Sequence, residues 1–441
     1  MRSLVAVLAA CMMSNGTLAA ESWSSFQNGG RIDIGAQDVP LKWSPEKGIA
    51  WSVQLDGYGQ STPIVWGPQV YLTYTAGETK DEMFVVALDT ATGKERWKRS
   101  VSNSSPEKNT SYVSRAAPTS VADEAGVFSF FEGGDLLALS HDGKELWKRS
   151  LVKDYGAIKA RHGLSSSLEH DANSLYVWVE REKDPYVLCL DKQKGETRWK
   201  SNGIGATTWA SPRLLRVGDA QHLVLSGIGK VVGLDAKTGK NVWELGEVAS
   251  NSAPTPVPFA PGRFVMGATE GRGASAGGGK NSNGVVEVLR KDDGSYQASF
   301  VWRAKKARSS FGSPVVVGSS AYFVNRVGVV FCVDVASGEQ RFAQRGNGST
   351  WATPIATKDR VYLFGKDGTT TVIERGDDFK VLATNALWKK DPPKEKPEGE
   401  AGGGRRGPPG GFGGPVLYGA AVAGKRLILR RGDIVYCVAG E

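Results

Sequence analysis

The sequence predicts an all-β protein, an eight-bladed β-propeller of four-stranded antiparallel blades, with the ring closed by joining N- and C-terminal strands in one blade. Three observations carry this. A short motif recurs along the chain, similar β-rich runs precede each copy, and the two chain ends supply complementary parts of one further blade. The motif is clearest at Ala87 to Trp97, ALDTATGKERW. An alternating apolar run ends in Asp, a Thr-Gly turn follows, and a polar strand carries the Trp, as in two antiparallel strands joined by a glycine turn. Cys189 to Trp199, Gly233 to Trp243 and Cys332 to Phe342 keep the same spacing, and Ala138 to Trp147 is one residue shorter. Internal repeats at steps of roughly 45 to 50 residues are the mark of propeller blades.

Taken in order, the chain opens on a leader. Arg2, the apolar run Leu4 to Met13 and small residues up to Ala20 read as a signal peptide over 1–20, leaving 21–441 as a single domain. The expected location is therefore exported, periplasmic or extracellular. The string Leu8 to Cys11 leaves open a lipid anchor at Cys11. Next, WSSFQNGGR from Trp23 leads to a strand ending near Leu55, with Trp51 in the repeat's Trp position and no strands of its own before it. Start signals follow at Pro63, Pro118, Ser165, Pro212, Pro254, Pro314 and Pro354, with an eighth at Pro415. Each precedes runs such as QVYLTY or RLILRR, whose alternating Val, Tyr, Phe and Ile suit half-buried strands. The fifth repeat keeps Trp302 but carries a Gly-rich insertion at about 271–284, and the seventh loses the motif around IERGDDFKVL. Residues 391–414 mix Pro, Gly and charge with almost nothing to bury, and are expected to form a mobile loop. The segment from Val416 supplies three strands without a Trp-bearing fourth, which the segment around Trp51 can provide.

The net charge of +9 lies largely in repeated turns such as GKERWKRS, where lysines solvate an outer strand and discourage edge pairing. A polyanion-binding surface is the sharper alternative. No nucleic-acid partner is expected, and no apolar run approaches a membrane span. Cys189, Cys332 and Cys437 share a repeat position that elsewhere holds Ala87, Ala138 or Gly233. A slot accepting Ala, Gly or Cys is small and buried, so three free thiols are expected and no disulfide.

These repeats resemble those of the pyrroloquinoline quinone (PQQ) family of β-propellers, and the resemblance covers most of Trp23 to Glu441. The layout is similar to that of the non-enzymatic, BamB-like members, which are scaffolds without a cofactor. The resemblance implies that each Trp packs on the Gly turn of a neighbouring blade. It thus gives structural roles to Trp51, Gly93, Trp97, Gly143, Trp147, Gly195, Trp199, Gly239, Trp243, Trp302, Gly338 and Phe342. It also raises the enzymatic alternative, a PQQ-dependent dehydrogenase holding PQQ with calcium beside two adjacent cysteines.

The sequence shows little of that equipment. No two cysteines adjoin, and Asp292-Asp293-Gly294 reads as a tight turn. The four His show no zinc-type pairing, and His141, in a repeat turn, is expected to be solvent-exposed. No nucleophile elbow or phosphate loop occurs. One constellation stands out. Three residues before the start-signal prolines lie Gln60, Arg115, Trp209, Asn251, Phe311, Trp351 and Phe412, with Arg161 and His162 in the third repeat. The first strand of a propeller blade lines the central channel, so these residues are placed at one mouth. Packing between blades is one reading of them; a recognition rim for a protein, peptide or glycan of the cell envelope is the other. The function expected is a monomeric, non-catalytic binding or scaffolding module. The alternatives are the PQQ protein and a polyanion or cell-wall glycan binder.

Overall fold

The computed structural model describes residues 22–31, 39–108, 110, 113–205, 208–248, 253–269, 281–346, 348–389 and 415–440. Residues 1–21, where the signal peptide is expected, most of the Gly-rich insertion and the 391–414 segment lie outside the described residues.

Eight four-stranded antiparallel sheets form the ring. Blade 1 spans residues 64–102, blade 2 121–150, blade 3 169–202, blade 4 213–248, blade 5 257–303, blade 6 315–345 and blade 7 355–386. Each is a meander running from the innermost strand outwards. Blade 8 differs. Three of its strands come from residues 419–439, and its outermost is Ile49–Gln54, paired as Trp51↔Cys437 and Val53↔Val435. The two chain ends thus close the ring, and the degraded fifth and seventh repeats still build complete blades. Among the described residues no helix is long and apolar enough to cross a membrane.

Burial follows strand position. The second and third strands of blade 2, Gly126–Phe130 and Asp135–Leu139, are buried at every residue, because neighbouring blades cover both faces. The outer strand Glu95–Ser102 of blade 1 has only exposed and half-buried residues, and it carries most of the GKERWKRS charges.

The repeated motif is explained by one turn and one docking contact. In blade 1, Asp89 Oδ1 accepts the amides of Ala91 and Thr92 and the Thr92 hydroxyl, while its other oxygen meets Arg96. Gly93 then takes φ +72, a left-handed conformation favouring glycine. Trp51 of blade 8 lies flat on that turn, with its Nε1 donating to Thr90 O at 3.1 Å. Trp97, Trp147, Trp199 and Trp302 repeat the contact on the next blade, donating to His141 O, Lys192 O, Ala236 O and Val335 O. A Cβ on Gly93, Gly143, Gly195, Gly239 or Gly338 would fall within 2.7 Å of the indole. The small slot faces the same indole from within the sheet: Ala87, Ala138, Cys189 and Gly233 pair with Trp97, Trp147, Trp199 and Trp243. Cys189, Cys332 and Cys437 are buried free thiols, and burial pushes Cys437 up to about 12.

Three expectations need correction. Trp243 does not dock on a following Gly turn; its Nε1 donates to His222 Nδ1 in its own blade, and the ring stacks near Phe264. The cause lies in blade 5, whose outer hairpin stays paired out to Arg290↔Tyr296 and carries the Asp293-Gly294 turn further along, so that Gly294 has only Arg290 near it. Phe342 meets Phe379 edge-on at 5.6 Å instead of a Gly turn. His141 is not a solvent residue. It stacks on Trp66, its Nδ1 meets the Tyr71 hydroxyl at 2.7 Å and its Nε2 meets Asp123 O at 2.8 Å.

Buried ions add further ties between blades. Lys192 of blade 3, 1% exposed, reaches Asp123 of blade 2 at 2.5 Å and His170 Nδ1 at 3.1 Å. Burial raises the Asp123 pKa, but the His170 and Lys192 contacts outweigh it and hold the carboxyl at about 2. Arg430 of blade 8 is fully buried and donates to Ser61 Oγ and Thr73 O of blade 1, which clamps the closure.

Gly143→Ala should cost clearly more stability than Gly218→Ala. Both glycines have positive φ, so each variant carries about 1 kcal/mol of backbone strain. Only Gly143 faces an indole, which adds roughly 1–3 kcal/mol of overpacking, whereas Gly218 has open space. Chemical denaturation of the two variants checks this; equal losses would contradict the docking role.

Candidate functional site: a plugged channel with an aromatic mouth

The channel is walled by the innermost strands, and a ladder of hydroxyls sets its register. The amide of Thr62 donates to Thr119 Oγ1, Thr119 to Ser167, Ser167 to Ser211, Ser211 to Thr255, Thr255 to Ser313 and Ser313 to Thr353, at 2.8–3.1 Å. Each step links one blade to the next. At the eighth position Gly419 sits against Thr62, where a Cβ would meet the hydroxyl at 2.5 Å.

One end of this channel is closed by the chain's own N-terminal segment. Trp23 exchanges two backbone hydrogen bonds of 2.9 Å with Val65 of blade 1, and Ser24 O accepts from Ala122 of blade 2. A tight turn over Phe26–Gly30 follows, with Gln27, Asn28 and Gly29 all in left-handed conformations. Gln27 is 3% exposed and donates to Ser313 Oγ and Thr353 Oγ1 at 2.6 and 2.9 Å. From the other side Arg213, paired with Glu169 at 3.1 Å, donates to Phe26 O and Gln27 Oε1. The plug therefore touches blades 1, 2, 4, 6 and 7, and Gly30 lies against Pro258 of blade 5. Nothing in WSSFQNGGR is periodic, and the sequence reading missed it.

Above the plug lies a chamber of about 540 Å³. Trp23, Phe26 and Gln27 make its floor, ladder hydroxyls its wall, and the mouth carries Gln60, Arg115, His162, Trp209, Phe311 and Trp351. Six of the rim residues singled out in sequence thus line one cavity. Arg161 is exposed and does not line it, and Asn251 and Phe412 lie outside the described residues. Tyr58 and Tyr418 line it too and carry no motif that would have revealed them.

The ladder also shows that the prolines are not a uniform register mark. Pro63, Pro212, Pro314 and Pro354 follow the ladder residue, whereas Pro118 and Pro254 precede it. The structural equivalents of Gln60 are therefore Ala117, Ser165, Trp209, Ala253, Phe311, Trp351 and Leu417. Arg115 enters from further out along its loop.

Contacts order the mouth into an arc. The Arg115 guanidinium lies 3.6 Å over the Tyr58 ring, and the Tyr58 and Tyr418 hydroxyls meet at 2.8 Å. Tyr418 meets Trp351 edge-on, and Trp351 packs on Phe311 at 4.8 Å between ring centres. His162 and Trp209 pack together at 6.1 Å in the loops preceding blades 3 and 4. Ala116, His162, Trp209 and Ala253 all have positive φ, a local strain that the rest of the structure must hold in place. Two buried carboxyls help. Glu132, which faces the buried Lys80, accepts the Ala116 amide at 3.1 Å. Glu180 accepts the Trp209 amide at 3.2 Å and the Thr208 hydroxyl. Burial pushes Glu180 up to about 8, against the pull of these bonds, so it is largely protonated at neutral pH.

The model of the family described as outer membrane protein assembly factor BamB matches residues 28–163, 183–273 and 282–397. The chain belongs to that family. Among solved structures, BamB from Moraxella catarrhalis is similar with TM-score 0.59 and 12% identity, over 89% of this chain and 97% of that one. A europium-containing methanol dehydrogenase is similar with TM-score 0.60 and 12% identity, over 94% and 90%. A quinohemoprotein alcohol dehydrogenase from Comamonas testosteroni gives 0.59 and 11%, over 96% and 81%. Identities this low establish the shared fold alone. No curated protein matches by sequence.

Calcium takes six to eight oxygen ligands, carboxylates foremost. The described lining residues include no Asp or Glu, and the described residues hold no cluster of three His, Cys, Asp or Glu side chains. The lining does not fit a calcium-dependent quinone site.

Glu180 gives the site a pH signature. Its proton is kept in the fold and lost from the unfolded chain above the ordinary 4.5. The stability it confers is full below about pH 4.5 and declines as pH rises towards about 8. Glu180→Gln, which mimics the protonated acid, should therefore gain melting temperature relative to wild type between about pH 5 and pH 8. Parallel profiles would contradict the assignment.

Proposed function

We propose that this protein is an exported, non-catalytic scaffold of the cell envelope that holds a protein partner at the chamber mouth. The work it serves is the assembly of outer-membrane proteins. The observation that carries this reading is the rim itself. Phe311 is 40% exposed, Trp351 and Trp209 are half-exposed, and polar Gln60, Arg115 and His162 lie between them on a rigid ring. Large aromatics beside Arg at a concave site are the side chains that dominate protein interfaces. The family description, which names outer membrane protein assembly, supplies the setting. The carboxylate-free lining supports binding over redox chemistry.

A photo-crosslinking amino acid in place of Phe311, in the full chain and in its native cells, should yield a discrete adduct with an envelope protein. The same probe in place of Lys148, on an exposed outer strand, should not. Phe311→Ser should reduce retention of that partner at least about tenfold while leaving stability within about 1 kcal/mol, as for most surface changes. An adduct pattern indifferent to position would overturn the reading.

A further inference from the structure

The mouth-side face is electrically divided, and the division points to the chemistry of the partner. In each blade the end of the fourth strand and the turn between second and third strands lie on the mouth side. Over blades 5 to 7 those positions hold Arg303, Lys305, Lys306, Arg326, Arg345 and Lys366. Backbone hydrogen bonds fix two of them beside the rim. The Arg326 amide donates to Ser310 Oγ next to Phe311, the Lys366 amide donates to Ser349 O, and Lys366 Nζ lies 5.3 Å over Trp351. Among the described residues none of Lys305, Lys306, Arg326 and Arg345 has a carboxylate within ion-pair distance, and all four are exposed. Across the ring, the same positions around blade 1 hold Asp56, Glu78, Asp81, Glu82 and Glu107, all exposed.

Among the described residues, Trp23 Nε1 at the chamber floor and Arg115 Nε are buried without a hydrogen-bond partner, exceptions to the usual pairing of buried donors. The volume of about 540 Å³ lies within the usual range for an enclosed ligand group.

We infer that the mouth recognises an acidic segment of a partner protein carrying a large aromatic residue. The aromatic side chain enters between Phe311, Trp351 and Trp209. Its backbone carbonyls or a flanking carboxylate accept from Arg115, and the remaining acids lie on the ledge of blades 5 to 7. This inference rests on the proposed role of the mouth as a protein-binding site and adds the partner's chemistry. Charge complementarity of this kind governs encounter rate and excludes wrong partners.

The test uses the mature full-length chain and three fluorescent peptides of about twelve residues. One is rich in aspartate and glutamate with a central phenylalanine, the second replaces that phenylalanine with serine, and the third replaces the acids with lysine. The first should bind in the micromolar range, weakening as salt rises, with the second at least about tenfold weaker and the third not binding. The double variant Lys305→Glu, Lys306→Glu should weaken the first about tenfold with its melting temperature unchanged. Equal binding of acidic and basic peptides, lost in Phe311→Ser, would overturn the acidic partner while leaving the mouth a binding site. Equal binding of the serine peptide, or of heparin with the same salt slope, would overturn it in favour of a polyanion surface. Binding of none of the peptides would overturn both readings.

Discussion

The backbone pairing of Ile49–Gln54 with Ile434–Ala439 is the constraint on which the rest depends. It turns an open row of meanders into a ring with no free sheet edge between first and last blade. It also sets the place of everything before it. The chain ahead of Ile49 must approach blade 8 from outside, and Trp43 and Val39 do so along blade 7 through Asn385 and Tyr362. The segment further upstream is then free to enter the channel, where Trp23 and Gln27 close one end. A tube becomes a cup, and a cup has one mouth.

Closure and docking divide the work in a way the residues make plain. Trp on Gly holds outer strand to neighbouring turn, the hydroxyl ladder holds inner strand to inner strand, and buried ions such as Lys192 with Asp123 sit between. The outer contact tolerates loss: blades 4 and 6 replace it with Trp243 on His222 and Phe342 on Phe379. The ladder is maintained from Thr62 through Thr353, in agreement with a rim whose loops must keep their spacing. Strain concentrates in those loops, at Ala116, His162, Trp209 and Ala253, which is where a binding surface gains from being held rigid.

The fold was legible because its signals are local and repeated. The Asp that opens the well-kept turns of blades 1, 3, 4 and 6 caps the amides before its Gly within five residues, and an aromatic follows at nearly fixed distance, so copying makes the pattern visible. The plug was not legible, because Ser25 to Gly30 occurs once and makes its contacts with residues hundreds of positions away. The rim is legible in outline, since its aromatics stand just before the inner strands, but the ladder hydroxyl and not the proline beside it marks the register. Buried Glu132, Glu180 and Lys192 look like surface charges in a sequence. His141 sits in a turn by sequence, and only the distant Tyr71 and Trp66 enclose it.

The proposed role requires that the cup hold a partner protein and no redox cofactor. Titration calorimetry of the mature chain with PQQ, with and without calcium, tests it most directly. The account predicts no saturable heat and no rise in melting temperature under either condition. Micromolar or tighter binding that stabilises the fold and is lost in Trp351→Ala would contradict it.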